Sequence, residues 1–283
     1  MSDRVTITID DDGVADVRLN RADKMNALDQ AMFRGLVDAS TSLKHESGLR
    51  AVVLSGEGRG FCAGLDFGSF QQMAGAEESA SEATAADVND GGTDDVASIG
   101  ETGDRITHFA QQSAYGWMEL AVPVVAALHG PVLGGGLQIA LGADIRIVAP
   151  DTKMSVLEVR WGLIPDMTGT ATLHRLVGND VAKELTFTGR MVEADEAVRI
   201  GLATRVADDP RAEAMALAHE IAGKSPDAIR GAKRLLDLAG RVGLAEQFAA
   251  ERATIGKLIG SPNQTEAVMS YFEKRPPKFT DPT

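Results

Sequence analysis

Residues 126–166 read AALHGPVLGGGLQIALGADIRIVAPDTKMSVLEVRWGLIPD, and the rest of the chain is best understood outward from them. The apolar run at 123–130, PVVAALHG, predicts a buried strand that ends at Gly130. Three glycines follow at 134–136, and LQIALGA then has helical spacing. A glycine turn between a strand and a helix leaves backbone N–H groups free of side chains. Such a turn suits an anion or a developing oxyanion.

Two carboxylates, Glu158 and Asp166, follow the glycine turn in largely apolar sequence. A carboxylate near a donor-rich turn predicts proton transfer next to a carbonyl group. The glycines alone would also fit close packing of a helix on a strand. A second loop strengthens the catalytic interpretation, because GEGRGFCAGLDF at 56–67 follows the short apolar strand predicted at 50–56. Its G-x-G-x-x-A pattern lacks the βαβ unit that a dinucleotide site requires, so we interpret it as a second donor loop around Ala63 and Gly64.

Composition excludes several classes of protein. The net charge of −13 argues against broad binding of nucleic acid. The single cysteine, Cys62, cannot form an intramolecular disulfide, which favours a reducing compartment. The N-terminus lacks the apolar region of a signal peptide, and no apolar run is long enough to cross a membrane. The histidines are scattered without ligand spacing, so we expect no metal site. Together with the single cysteine and the lack of apolar runs, this predicts a cytoplasmic protein with no membrane association.

The rest of the chain predicts one large α/β unit followed by helices. Residues 4–10 and 14–20 alternate in polarity around a turn and predict a β-hairpin. Helices are expected at 29–46 and 105–120, and from 169 onward the pattern is mainly helical. The stretch at 71–104 is acidic and contains no lysine or arginine, which predicts a mobile insertion or lid, or equally a plain solvated loop. We therefore divide the chain into a core at 1–206 with this insertion and a helical region at 207–283.

Several motifs, taken in order, resemble the enoyl-CoA hydratase/isomerase family, the crotonases. They are KMNAL (24–28), GRGFCAGLD (58–66), AALHGPVLGGGLQIALGADIRI (126–147), EVRWGLIPDMTGT (158–170), ELTFTGR (184–190) and EADEAVRIGLATRV (193–206). The resemblance implies an α/β fold of the Clp/crotonase type, a spiral of ββα units with a C-terminal helical trimerisation region. It also implies an acyl-CoA thioester substrate and a homotrimer or a hexamer made of two trimers. No separate cofactor is expected, because coenzyme A is part of the substrate.

The resemblance assigns binding roles residue by residue. Ala63 and Gly135 match the two backbone N–H groups of the family's oxyanion hole, which holds the thioester oxygen. The family's contacts with coenzyme A fall on Lys24, Asn26, Ala27, Leu28, Gly64, Leu65 and Asp66.

The catalytic positions depart from the hydratase pattern. Hydratases of the family use two glutamates; the second matches Glu158, but the first matches Gln138, whose amide cannot exchange a proton at neutral pH. Asp166 stands where hydratases usually have glycine and where the related dienoyl-CoA isomerases have an aspartate. The set Glu158, Asp166 and Gln138 therefore favours isomerisation of a double bond over hydration. Asp166 would equally fit as the N-cap of the helix beginning near Thr168.

Other functions stay open at this stage. Hydration of a 2-enoyl-CoA is the first alternative, and a non-catalytic acyl-CoA-binding relative is the second. Dehalogenation, decarboxylation and thioester hydrolysis also occur in the family, but the nucleophiles they need are not recognisable here. Serine proteases of the Clp type share the fold, yet the chain has no G-x-S-x-G elbow.

Overall fold

The computed structural model describes residues 4–66, 68, 102 and 104–281, so nearly all of the acidic insertion predicted at 71–104 lies outside the described residues. The chain begins with the expected hairpin, in which β1 (Val5–Ile9) pairs antiparallel with β2 (Val14–Leu19). Gly13 closes the turn with φ +77°, and a Cβ there would lie 2.2 Å from the Gly48 carbonyl oxygen. The hairpin prediction is confirmed.

The hairpin starts a six-stranded sheet, whose further strands are β3 (Ala51–Gly56), β4 (Val124–Leu128), β6 (Ile145–Val148) and β9 (Arg205–Val206). The strand order is β1-β2-β3-β4-β6-β9. From β2 onward the strands pair in parallel. All five residues of β4 are buried, as expected for a central parallel strand that is covered on both faces.

A small second sheet lies beside the first and carries the glycine turn. It contains β5 (Pro131–Leu133), β7 (Lys153–Ser155) and β8 (Val192–Glu193), with β5 parallel to β7 and β7 antiparallel to β8. The strand predicted at 123–130 ends at Leu128, and the chain turns at Gly130 into β5. Gly130 has φ +53°, and a Cβ there would lie 2.2 Å from the Arg59 carbonyl oxygen, so only glycine fits this turn.

Helices cover both faces of the six-stranded sheet. One face packs against α1 (Gln30–Lys44) and α2 (Phe109–Met118), where Leu36 and Trp117 are fully buried. The other face packs against α7 (Pro210–Ala222) through Ala214 and Ala218. This first helix of the region predicted at 207–283 therefore packs on the sheet of the core. The shorter helices between them are α3 (Gly135–Ala140), α4 (Gly169–Val177), α5 (Asn179–Thr188) and α6 (Ala194–Arg199).

The last three helices leave most of their apolar side chains in solvent. They are α8 (Pro226–Leu238), α9 (Leu244–Leu258) and α10 (Pro262–Phe272). Lys233 anchors α8 to the core by donating to Asp144 Oδ2 over 2.6 Å and to the Val122 carbonyl oxygen. The exposed apolar side chains of these helices are Leu236, Leu244, Phe248, Ile255, Val268, Met269, Tyr271 and Phe272. None of the helices in the described ranges is long and apolar enough to cross a membrane.

Candidate active site

The site is built around the carboxylate of Glu158, which begins a 3-10 turn (Glu158–Trp161) and is only 9% exposed. Gln138 Nε2, on α3, donates to Glu158 Oε1 over 2.6 Å. Oε2 is buried and accepts no well-formed hydrogen bond from a described residue. Burial raises the pKa of the Glu158 carboxyl, and the negative charge of Asp166 raises it further, against lowering by nearby backbone N–H groups and by Gln138. The result is a carboxyl with one oxygen held and one available.

The side chain of Gln138 is locked in one orientation. Its Oε1 accepts from the backbone N–H of Met167 over 2.8 Å and from that of Gly169 over 2.9 Å. Because two donors meet this atom, it must be the oxygen, and the nitrogen must face Glu158. A Cβ at Gly169 would lie 2.7 Å from Oε1, so the glycine makes room for the amide.

Asp166 lies near Glu158 but has a different environment. It is exposed and makes no hydrogen bond or ion pair with another described residue, while its charge still influences Glu158. The N-cap interpretation is wrong, because the N-cap position of α4 is occupied by Thr168, which has φ +71° and makes no capping hydrogen bond with its side chain. A left-handed conformation is unusual for a β-branched residue, and the buried Thr168 Oγ1 has no partner in the described part of the chain.

The glycine turn faces this carboxylate. A Cβ at Gly134 would lie 3.4 Å from Glu158 Oε1. The next residue, Gly135, is the first of α3, so its N–H has no acceptor within the helix, and it donates to no other described residue. Leu28 and Met167 pack so closely on Gly135 that a Cβ would lie 2.8 Å from Leu28 Cδ1. Gly135 thus offers a free backbone N–H donor in a tightly packed position.

The structure corrects the prediction at Ala63. The Ala63 N–H already donates to the Met25 carbonyl oxygen over 2.9 Å, so it is not available to a ligand. Two residues later, Leu65 forms a parallel bridge with Leu28. In this bridge Leu28 N–H donates to the Gly64 oxygen and Asp66 N–H donates to the Leu28 oxygen. The N–H of Leu65 therefore points away from Leu28, and it donates to no described residue.

The opposite side of the 60–66 loop runs along the small sheet. Cys62 N–H donates to the Pro131 oxygen over 3.1 Å, and Leu133 N–H donates to the Cys62 oxygen over 3.0 Å. The loop thus lies between residues 24–28 on one side and β5 on the other. Since β5 leads directly to the glycine turn, the free N–H of Leu65 and that of Gly135 belong to adjacent segments.

The predicted coenzyme A contacts divide by exposure. Lys24 is exposed, whereas Asn26 and Leu28 are fully buried. Asn26 accepts from Arg21 N–H and donates to the carbonyl oxygens of Glu57 and Gly60, so its side chain holds the loops together and cannot face a ligand. The others are half-buried or, for Gly64, buried backbone positions; they are Ala27, Gly64, Leu65 and Asp66.

Asp66 has a further constraint. It pairs with Arg21 Nη1 over 2.7 Å and accepts from the Gly68 N–H. The hydrogen bond from Gly68, followed by the hydrogen bond and charge of Arg21, lowers the pKa of Asp66.

Sequence reasoning missed Arg21, and it also missed the backbone donors at Met167 and Gly169. The signal for Arg21 was present, since an arginine lies three residues before the start of the KMNAL motif.

A group of side chains that could hold a metal ion lies away from Glu158. Within the described ranges, the one group of three side chains placed to share a cation is Asp10, Asp12 and His219. All three are exposed, and they belong to the β1–β2 turn and to α7. The Glu158 site contains no such group among the residues described.

The site therefore combines a buried carboxylate, a locked amide and two free backbone donors on adjacent loops. The family model described as enoyl-CoA hydratase/isomerase matches residues 14–282, which is nearly the whole chain. The protein belongs to the enoyl-CoA hydratase/isomerase family and has the crotonase fold.

Relatives and solved structures agree with this assignment. The chain is 31% identical over 274 residues to the mitochondrial methylglutaconyl-CoA hydratase of Mus musculus, covering 94% of this chain and 79% of the relative. It is also 31% identical to the mitochondrial enoyl-CoA hydratase domain-containing protein 2 of Mus musculus, covering 94% and 84%. The crystal structure of an enoyl-CoA hydratase from Bacillus anthracis superposes with a TM-score of 0.82 at 27% identity, covering 98% of each chain.

Proposed function

We propose that the protein acts on an acyl-CoA thioester and that Glu158 moves a proton at the carbon chain next to the thioester carbonyl. The observation that carries this proposal is the state of the two Glu158 oxygens. Gln138 holds Oε1, while the buried Oε2 has no protein partner in the described part of the chain. Isomerisation of a double bond is the favoured reaction, because Glu158 is the group in this pair that can exchange a proton.

The backbone N–H groups of Leu65 and Gly135 would hold the thioester oxygen. This assignment replaces Ala63 by Leu65, since the Ala63 N–H is used by Met25. One such donor typically stabilises the transition state by about 3–4 kcal/mol. Two donors on adjacent loops would therefore make the proton next to the carbonyl removable near neutral pH.

The proton transfer follows from these positions. Oε2 of Glu158 removes a proton from one end of the allylic system, and the electron pair is delocalised onto the thioester oxygen as a dienolate. The protonated Glu158 then returns a proton to the other end, so the double bond moves and no atom is lost. The raised pKa of Glu158 suits both directions of transfer. Asp166 contributes its negative charge, which helps to raise the pKa of Glu158.

Binding and assembly are part of the same proposal. Lys24 is exposed, and it would pair with a phosphate of coenzyme A. Large apolar side chains are exposed on each of the helices α8–α10, which supports the homotrimer or hexamer implied by the family.

Hydration of a 2-enoyl-CoA is a second candidate, and one observation favours it. Gln138 Nε2 carries two hydrogens and uses one for Glu158. The other could donate to a water molecule that in turn donates to Glu158 Oε2. The names of the relatives, which are hydratases, also favour this reaction.

The two candidates are separated by a paired assay on the purified protein. One arm offers a trans-2-enoyl-CoA and measures 3-hydroxyacyl-CoA by mass. The other offers a 3-enoyl-CoA in deuterated water and measures the shifted double bond and its deuterium. Both are repeated with Glu158→Gln and Asp166→Asn, and with Glu213→Gln on α7 as a surface control. Isomerisation without hydration, abolished by Glu158→Gln, supports the proposal; efficient hydration favours the second candidate, and no reaction in either arm contradicts both.

A further inference from the structure

We propose that Arg21 is a positioning residue for the oxyanion site, because it fixes the loop that carries the Leu65 N–H. The inference rests on the proposed function, since it concerns the same donor. The Arg21 side chain is only 13% exposed and its guanidinium reaches two loops at once. Nη1 lies 2.7 Å from Asp66 Oδ2 and 3.0 Å from the Ala27 carbonyl oxygen.

The backbone of Arg21 also organises the first of these loops. Its N–H donates to Asn26 Oδ1 over 2.7 Å, and its carbonyl oxygen accepts from the N–H groups of Lys24 and Asn26. Met25 and Asn26 have φ values of +48° and +55°, which non-glycine residues adopt only when their surroundings hold them. Arg21 therefore both closes this turn and ties it to the next loop.

The second loop is held directly around the donor. The Gly64 oxygen accepts from Leu28 N–H over 2.8 Å, and Asp66 N–H donates to the Leu28 oxygen over 3.0 Å. The side chain of the same Asp66 forms the ion pair with Arg21. The residues on both sides of Leu65, Gly64 and Asp66, are thus bonded to the loop that Arg21 closes.

Arg21 also connects this assembly to the rigid core. Its Nη1 lies 3.5 Å from Asp29 Oδ2. Asp29 caps α1 by accepting from Met32 N–H and pairs with Arg4 over 2.8 Å. The position of the Leu65 N–H is therefore set relative to a core helix.

Charge gives Arg21 a second effect on the same donor. Asp66 directly follows Leu65 and is ionised, so without a partner its charge would oppose negative charge on the thioester oxygen. The guanidinium neutralises it at 2.7 Å. Arg21 places the Leu65 N–H and neutralises the charge of Asp66. Both effects predict that loss of Arg21 weakens polarisation of the bound thioester carbonyl.

The test measures that polarisation directly. Arg21→Met and Arg21→Lys are each made with Glu158→Gln, so that a 2-butenoyl-CoA labelled with carbon-13 at its carbonyl is not consumed. Difference infrared spectroscopy then records how far binding lowers the carbonyl stretching frequency. Arg50→Met is the matched control, because Arg50 is also 13% exposed and forms an ion pair, 2.6 Å long, with Asp281.

We expect Arg21→Met to lose at least half of the frequency shift, Arg21→Lys to keep part of it, and Arg50→Met to keep all of it. With Glu158 restored, Arg21→Met should lower kcat/KM by about 10²-fold, the effect of misplacing a catalytic donor. A full shift in both Arg21 variants would overturn the inference, even if their melting temperatures fell. If Glu158→Gln alone binds the thioester without a shift, the proposed function fails and Arg21 is not at issue.

Discussion

Gln138 Nε2 lies 2.6 Å from Glu158 Oε1. Gln138 occupies the position that matches the first of the two glutamates of the family's hydratases. The same amide accepts the backbone N–H groups of Met167 and Gly169 through its oxygen. The pair therefore contains one proton carrier and one fixed donor, and the chemistry assigned to the site depends on that asymmetry.

Replacing Gln138 tests the asymmetry. Gln138→Glu keeps an oxygen for the two backbone donors but places a second carboxyl beside Glu158. Two carboxyls this close cannot both ionise, so the pair should retain one proton near neutral pH. We expect the ratio of hydration to isomerisation to rise, measured as 3-hydroxyacyl-CoA against shifted enoyl-CoA. An unchanged ratio would show that residue 138 does not select the reaction.

Gln138→Leu has a different expected effect, on stability. It leaves two backbone N–H groups without an acceptor, at a cost of about 1–3 kcal/mol for each unsatisfied donor. The free energy of unfolding, measured by urea denaturation, should fall accordingly. A loss below about 1 kcal/mol would mean that water or a shifted side chain satisfies these donors.

Gly169→Ala tests the space that the amide requires. The added Cβ would lie 2.7 Å from Gln138 Oε1, which must move and release Glu158. We expect a loss of about 1–3 kcal/mol in unfolding free energy together with reduced kcat. Gly243→Ala is the control, because a Cβ there meets nothing within 4 Å. Equal behaviour of the two variants would contradict the packing argument.

Thr168→Gly tests the strained cap of α4. A left-handed backbone costs about 1–2 kcal/mol for a residue with a Cβ, and glycine avoids this cost. Thr168 has φ +71°, so Thr168→Gly should be more stable than Thr168→Ala in urea denaturation. The reverse order would show that the backbone conformation at 168 is not strained as described.

The raised pKa of Glu158 predicts a pH dependence of stability. A carboxyl whose pKa is higher in the folded than in the unfolded state favours folding below its unfolded pKa, and this contribution is lost as pH rises through the folded value. The unfolding free energy of the wild type minus that of Glu158→Gln should therefore decrease as pH rises from about 4 through the range above it. A difference that is constant over this range would show that the pKa of Glu158 is not raised.

Much of the site could be predicted because its parts are local in sequence. Composition and spacing predict the apolar run of β4, the glycine turn and the carboxylate of Glu158 that follows it. The hairpin around Gly13 was likewise predictable from alternation and turn residues. Motif order then indicated the family, which the match over residues 14–282 confirms.

The remaining details depend on contacts between distant segments. Whether Ala63 or Leu65 offers a free N–H is decided by pairing with the loop at 24–28, which no local pattern reveals. The locked orientation of Gln138 depends on Met167 and Gly169, 29 and 31 residues away. Asp166 had the spacing of an N-cap, but Thr168 takes that position in a conformation that propensity disfavours.

Exchange of the proton next to the thioester carbonyl tests the central claim most directly. A 3-enoyl-CoA is incubated in deuterated water with the wild type, with Glu158→Gln and with the surface control Glu213→Gln, and deuterium in the recovered acyl-CoA is measured by mass. We predict rapid incorporation with the wild type and with Glu213→Gln, and a rate lower by about 10²–10⁴-fold with Glu158→Gln, the usual contribution of a general base. Incorporation at an equal rate with Glu158→Gln would contradict the assignment of Glu158 as the group that moves the proton.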